Sequence, residues 1–304
     1  MQSSWGRLVV ADAHVHFFSH GFFSLLSQQK PGLSIESIQA TLGWKMPPVD
    51  PRDLAAEWVA ELDRMGVRRA ALIASLPGDE DSVRIAVEAF PDRFHGYFMA
   101  NPCLPDAVNR MEAALGAGLR VPCLFPAMHQ YTLSDPRVNT VLEAVAARPN
   151  PVVFIHCGVL SVGIRKKLGL RSPFDLRFSN PVDVHPLALR FPNVRFILPH
   201  FGAGFFREAL MVADMCPNVY FDTSSTNSWI RYQEGHVTLQ VVFQRALSVV
   251  GPGRLLFGTD SSFFPRGWNG AIFEDQARAL SALGVTAEIA RSIFGGNLQA
   301  LLEG

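Results

Sequence analysis

Short apolar runs alternate with longer stretches of helical spacing along most of this chain. The runs at residues 9–16, 69–75, 94–100, 119–125, 152–155, 194–198, 219–221 and 255–257 are rich in β-branched, aromatic and small apolar side chains, and they predict buried strands. Between the first two, Leu54, Trp58, Leu62 and Met65 recur three or four residues apart, behind Asp50-Pro51 and ahead of Gly66. That spacing predicts a helix with one apolar face, a proline-marked start and a glycine-marked end. Further helices are predicted over 79–90, 105–117, 135–148, 182–190, 203–215 and 237–250, with two more closing the chain. Strand and helix therefore alternate eight times, the pattern of a parallel sheet with crossover helices. Eight such units in about 300 residues predict one α/β domain over residues 1–304, a somewhat distorted (β/α)8 TIM barrel.

One connection breaks the rhythm. Residues 17–49, after the first strand, are too many for an ordinary strand-to-helix loop, and Phe17, Phe18, Phe22, Phe23 and Trp44 argue against disorder. This long insertion is either a partial lid that walls a pocket or a surface hairpin packed on the barrel rim.

The first strand ends in Asp12-Ala13-His14-Val15-His16. Residues two apart on a strand point to the same side, about 6.6 Å apart along the chain. His14 and His16 can aim their rings at one point, and bonds of about 2.0–2.1 Å from each ring suit a single Zn²⁺ or similar ion. Other predicted strands also end in polar groups: His156 after the fifth, His200 after the sixth and Asp260 after the eighth. Chemistry in such barrels sits at the C-terminal ends of the strands, which is where these five residues collect.

Composition narrows the partners. Lys and Arg number 27 against 27 Asp and Glu, so no basic excess exists to neutralise phosphates, and neither nucleic acid nor an anionic membrane surface is expected as a partner. No apolar run approaches the roughly 20 residues of a membrane span. The opening MQSSWGRLVVADAH lacks a basic region followed by an apolar one, so no signal peptide is expected. The four scattered cysteines, Cys103, Cys123, Cys157 and Cys216, read as reduced thiols of a cytoplasmic protein.

Taken together, Asp12-Ala13-His14-Val15-His16, Phe154-Ile155-His156, Leu198-Pro199-His200-Phe201-Gly202-Ala203-Gly204, Phe257-Gly258-Thr259-Asp260 and Gly295-Gly296-Asn297 resemble the amidohydrolase superfamily. The likeness is to the amidohydrolase-related branch that includes aminocarboxymuconate-semialdehyde decarboxylase and related hydrolases and hydratases, and it covers essentially the whole chain. The resemblance implies that His14, His16, His156 and Asp260 hold one divalent metal. It implies that His200 holds the water on that metal or the substrate. It also implies a homodimer, since members of this branch commonly pair.

Two-metal members carry a modified lysine or a glutamate at the end of strand three or four. Here those ends read Ala100-Asn101-Pro102 and Cys123-Leu124-Phe125-Pro126, which offer no bridging anion, so a single ion is expected. Zn²⁺ is the first choice for three imidazoles and a carboxylate, with Mn²⁺ or Fe²⁺ as the other candidates. Such an ion lowers the pKa of its water from about 15.7 to about 7. Asp260 would take a proton as that water attacks and pass it to the leaving group, and His200 would hydrogen-bond the oxygen that gains charge. This predicts hydrolysis of an amide, lactone or related carbonyl in a small molecule. Non-oxidative decarboxylation, or hydration, of an aromatic or muconate-type acid is the alternative with the same site. A ligand-binding barrel without turnover is the remote one. Asp12 is either a further ligand or a residue behind the ligands.

A carboxylate on the substrate calls for an arginine or lysine over the metal. Arg266, six residues beyond Asp260, ranks first, followed by Lys45 and Arg52 after strand one and Arg165 in the basic run 163–171 after strand five. Related decarboxylases often have an aromatic residue directly after the metal aspartate; here it is Ser261, which weakens a transfer of their substrate. Thr223 after strand seven and His129 after strand four are lesser candidates for the pocket lining, while His20, His95, His185 and His236 read as surface or packing residues.

Overall fold

The computed structural model describes residues 1–160, 162–225 and 228–303. Eight parallel strands follow one another around the sheet in chain order: β1 Val10–His16, β2 Val67–Ala74, β3 Phe94–Ala100, β4 Val121–Leu124, β5 Val152–Ile155, β6 Arg195–Pro199, β7 Val219–Asp222 and β8 Leu255–Leu256. The ring closes between β8 and β1, where Ala13 N donates to Phe257 O at 2.8 Å, Asp260 N to His14 O at 3.0 Å and His16 N to Ser261 O at 2.7 Å. Helices cross between the strands, so the molecule is the (β/α)8 barrel that the alternation predicts. A small antiparallel pair, Gln2–Ser3 with Gly6–Arg7, precedes the barrel.

Local chemistry explains the helix limits. Helix Pro51–Met65 begins where Asp50 accepts from Arg52 N, with Pro51 at the first helical position, and stops at Gly66, whose φ of 72° is the left-handed conformation that glycine tolerates. It buries Leu54, Ala55, Trp58 and Leu62. Helix Leu239–Val250 starts under a Thr238 cap. Two predicted helices are shorter than expected. Residues 182–190 divide into a 3-10 turn, Pro181–Val184, and helix His185–Arg190. Residues 203–215 become helical only at Phe206, because His200, Phe201 and Ala203 adopt positive φ and hold the chain out of the helix.

The insertion after β1 is not a hairpin. It forms helix His20–Ser27, capped by Ser19, and helix Ile35–Leu42, capped by Ser34 and ended by Gly43. Phe22, Phe23, Leu26, Ile38 and Leu42 from these helices pack with Ile164, Leu168 and Leu170 from the loop after β5. The two loops therefore share an apolar cluster of their own above the barrel. Within the barrel, Ala13, Ile73, Tyr97, Phe154, Ile197 and Leu256 form an inner layer, and Leu298, Leu301 and Leu302 of helix Asn297–Glu303 pack into it from the N-terminal end. All four cysteines are free, and no helix among the described residues is long and apolar enough to cross a membrane.

Candidate functional site

β1 delivers His14 and His16 to the C-terminal mouth of the barrel, as its two-residue period requires. Asp260 joins them from the segment after β8, where its backbone stands at φ 58° while its N–H is held by the His14 carbonyl. A non-glycine residue in that region costs energy and persists only where its surroundings impose it. The result is a tight group: His14 Nε2 and His16 Nε2 lie 3.3 Å apart, and Asp260 Oδ1 is 3.2 Å from His16 Nε2 and 3.6 Å from His14 Nε2.

Proton positions follow from the partners. His14 Nδ1 is 2.6 Å from Asp222 Oδ2, a carboxylate oxygen that can only accept, so Nδ1 carries the hydrogen and Nε2 keeps a lone pair. Ser75 Oγ donates its one hydrogen to Ile73 O at 3.1 Å and therefore accepts from His16 Nδ1 at 2.7 Å, which leaves His16 Nε2 with a lone pair as well. Two lone pairs and a carboxylate oxygen facing one another at this range call for a cation between them. Burial disfavours charge on His14, but Asp222, followed by Asp260 and Asp12, outweighs it and pushes that imidazole up to about 9, so a proton takes the Nε2 lone pair whenever no cation is bound there. Burial also opposes ionisation of Asp260, yet the ring of His16 in contact at 3.2 Å and the nearby rings of His14 and His200 hold its carboxyl well below the usual range. A positive charge is therefore favoured here. Two bonds of about 2.0–2.1 Å meeting at a tetrahedral angle place their donor atoms about 3.3–3.4 Å apart, close to the separations observed. His14, His16 and Asp260 fit one divalent ion.

His156 and His200 border the same cavity but stand outside that tight group. The His156 ring lies 5.3 Å from that of His200, and its Nδ1 is buried without a partner. Burial keeps both rings neutral, the state in which an imidazole can coordinate or donate without bringing charge. Ser224 Oγ lies 3.0 Å from His14 Nδ1 and 3.0 Å from His200 Nδ1. His14 Nδ1 has no lone pair to offer, so the Ser224 hydrogen is free for His200 Nδ1, and in that tautomer His200 Nε2–H is a donor for the cavity.

Asp12 is not in the group. Its oxygens accept from His14 N at 2.9 Å, Thr259 N at 3.1 Å, Thr259 Oγ1 and Trp268 Nε1 at 2.7 Å, so it braces the closure of the barrel behind the ligands. Burial raises its carboxyl to about 6, with those hydrogen bonds working against the shift.

The cavity encloses about 370 Å³. Phe18, Phe22 and Trp44 of the insertion wall one side, and Arg165, Lys167 and Arg266 bring positive charge. Arg266 lies 4.6 Å over the ring of Phe263, which stacks on Trp44 at 3.8 Å. Its Nη2 donates to Ser262 Oγ at 3.1 Å and to Asp260 O at 3.4 Å, and no carboxylate among the described residues pairs with it. Arg165 borders the cavity with its guanidinium committed to Gln29 Oε1 and Arg171 O.

Two expected substrate contacts lie elsewhere. Lys45 pairs with Glu57 at 2.6 Å with its side chain 57% exposed, outside the cavity. Thr223 is buried on the outer side of the sheet, where its hydroxyl donates to Gln276 Oε1 at 2.8 Å. Thr223 and Asp222 are neighbours on a strand end, so when Asp222 faces His14 its neighbour must face the helices. His129 does not border the cavity either. Asp222, Ser224 and Ser75 were not singled out from the sequence; for Asp222 the available signal was its place at the end of β7.

Comparison with known proteins agrees with this fold. The family model described as Amidohydrolase matches residues 11–303. A curated relative, protein fluG of Emericella nidulans, is 28% identical over 128 residues, which are 42% of this chain and only 13% of that protein. Among solved structures, a probable 2-pyrone-4,6-dicarboxylic acid hydrolase from Acinetobacter baumannii with citric acid bound superposes with a TM-score of 0.62 at 14% identity, covering 97% of this chain and 99% of that one. An amidohydrolase from Burkholderia multivorans with bound Zn gives 0.60 at 14% identity, with 97% and 99% covered. At these identities the likeness carries the fold alone.

Proposed function

The chain belongs to the amidohydrolase family, and on that premise we propose that it is a hydrolase using one divalent metal, Zn²⁺ first, to open a lactone, amide or related carbonyl in a small, flat, carboxylate-bearing molecule. The observation that carries this reading is the convergence of two imidazole nitrogens and the Asp260 carboxylate on one point, in a cavity also lined by an arginine that pairs with no carboxylate among the described residues.

His14, His16 and Asp260 would hold the ion, with His156 the fourth candidate from the cavity wall. When bound, the ion supplies a Lewis acid and makes water acidic enough to deliver hydroxide near neutral pH. Asp260, ionised and within 3.2 Å of His16 Nε2, is placed to accept a proton at its free carboxylate oxygen and return it to the leaving group. His200 presents Nε2–H toward the cavity and donates to the substrate oxygen that gains charge, with Ser224 fixing the tautomer. Arg266, stiffened by the stack on Phe263 and Trp44, anchors a substrate carboxylate through its fork of donors. The aromatic wall of Phe18, Phe22 and Trp44 suits a planar substrate. The Acinetobacter structure is described by the name of a dicarboxylated pyrone and holds a tricarboxylate, which supports the same substrate class.

The test is turnover by protein loaded with Zn²⁺ or Mn²⁺ on a panel of carboxylated lactones, carboxylated amides and aromatic or muconate-type acids. Ring opening or amide cleavage that disappears in Asp260→Asn is expected. CO₂ released from an acid on the panel would instead assign the decarboxylase chemistry, and metal binding without turnover of the panel would point to a binding protein.

A further inference from the structure

We infer that the N-terminal end of the barrel holds a second ligand site, for a compact small molecule carrying two or more phosphate or carboxylate groups. A cavity of about 410 Å³ opens there, at the end of the strands remote from His14 and Asp260. Arg7 from the leading strand pair, Arg68 and Arg69 from the start of β2, His95 from the start of β3, and Arg291 and Gly296 from the closing segment line it. The volume falls in the range of small-molecule pockets, about 300–1,000 Å³.

The charge is one-sided. Arg69 is matched by Glu303, which the same guanidinium meets directly. Arg7, Arg68 and Arg291 make no side-chain hydrogen bond or ion pair with a described residue, and no carboxylate lines the cavity among the described residues. Three exposed guanidiniums without carboxylate partners around one hollow make a positive rim that attracts an anion. Guanidinium groups bind phosphate and carboxylate through paired N–H donors, so several arginines together select a multiply charged oxyanion.

His95 backs the hollow: it is 8% exposed, and its Nε2 lies 3.3 Å from Arg69 Nη1 and 3.5 Å from Glu303 Oε1. Burial and the charge of Arg69 hold the ring neutral, so it adds nothing to the crowding of positive charge.

The test is calorimetric titration of the metal-loaded protein with fructose 1,6-bisphosphate in one arm and tricarballylate in the other. Binding of at least one probe at about one per chain is expected to persist in Arg266→Gln, which removes the carboxylate anchor at the other end of the barrel, and to weaken at least about tenfold in Arg68→Gln/Arg291→Gln. The tighter probe shows whether phosphate or carboxylate is preferred. Arg7→Gln, which alters only the leading strand pair, should weaken binding in the same direction and covers the case in which the double variant folds poorly. The inference is overturned if neither probe binds at several millimolar. It is also overturned if Arg266→Gln abolishes binding while the Arg68/Arg291 variant keeps it, or if neither variant changes it. Loss of catalytic turnover bears on the other end of the barrel and leaves this result standing.

Discussion

Asp222 Oδ2 stands 2.6 Å from Nδ1 of His14, and this contact decides which nitrogen of His14 faces the cavity. Carboxylates behind metal-bound imidazoles fix tautomer and orientation, and losing one typically lowers metal affinity about 10–100-fold. Asp222→Asn keeps the shape and removes the charge. Competition with a chelator should show affinity reduced by that range with near-normal folding. An unchanged affinity would mean that His14 is oriented by packing alone.

Metal itself should be measurable as stoichiometry and as stability. Emission spectrometry on purified protein should find about one ion per chain that a chelator removes, and His16→Ala should carry almost none. At a hundredfold over its dissociation constant the ion adds about 2.7 kcal/mol, a rise in Tm of roughly 5 °C for a chain of this size. A Tm that ignores both chelator and re-addition would count against the site.

Arg266 and Lys45 were both candidates for a substrate carboxylate, and the structure separates them. Arg266→Gln should raise KM for carboxylated substrates about 10–100-fold with a smaller change in kcat, as expected for loss of a charged hydrogen bond. Lys45→Gln should leave both constants within about twofold, because that ammonium is exposed and already engaged by Glu57. Equal effects of the two substitutions would remove Arg266 from its assigned role.

Gly258 has room for no side chain. A Cβ there would come within 2.5 Å of Asp222 Oδ1, 2.9 Å of Ser224 Cβ and 3.1 Å of His14 Cβ. Gly258→Ala should therefore displace the group behind His14, costing about 1–3 kcal/mol of stability and weakening metal binding together. Urea midpoints and metal retention measured on one preparation check it; a variant with wild-type values on both would show that the strand end yields freely.

Acid should weaken the fold partly through His129. Its Nδ1 is buried without a partner, and burial pushes its pKa down to about 4. A free imidazole titrates near 6.5, so between about pH 6.5 and 4 the unfolded chain binds a proton that the folded chain refuses. Stability is lost as pH falls through that window, by roughly 1–3 kcal/mol from this group. His129→Gln should lose less stability than the parent between pH 7 and pH 4.5 in urea titrations. Equal losses would assign the acid sensitivity to other groups.

Much of the barrel and the heart of its site could be read from the chain. Strand periods put His14 and His16 on one side, and apolar runs ended where His156, His200 and Asp260 begin. What could not be read depends on a single residue of register. At the end of β7 either Asp222 or Thr223 could face inward, and Thr223 was the wrong choice. Ser75 and Ser224 act through rings on other strands, a relation with no trace in local spacing. Lys45 failed for another reason: whether a long flexible cation turns into a cavity or toward a nearby carboxylate is decided by the helix it meets, here through Glu57.

The roof above the cavity is held by an oily nucleus that it does not share with the barrel, drawn from two excursions of the chain after β1 and β5. Such a ceiling can be rewritten as a block while the imidazoles beneath stay where strand geometry puts them. One scaffold comes to serve many small molecules in this way, by keeping its chemistry and exchanging its doorway. For this chain, redirecting which small molecule is admitted is a matter of recasting Phe22, Trp44 and their neighbours, with the floor of the site left untouched.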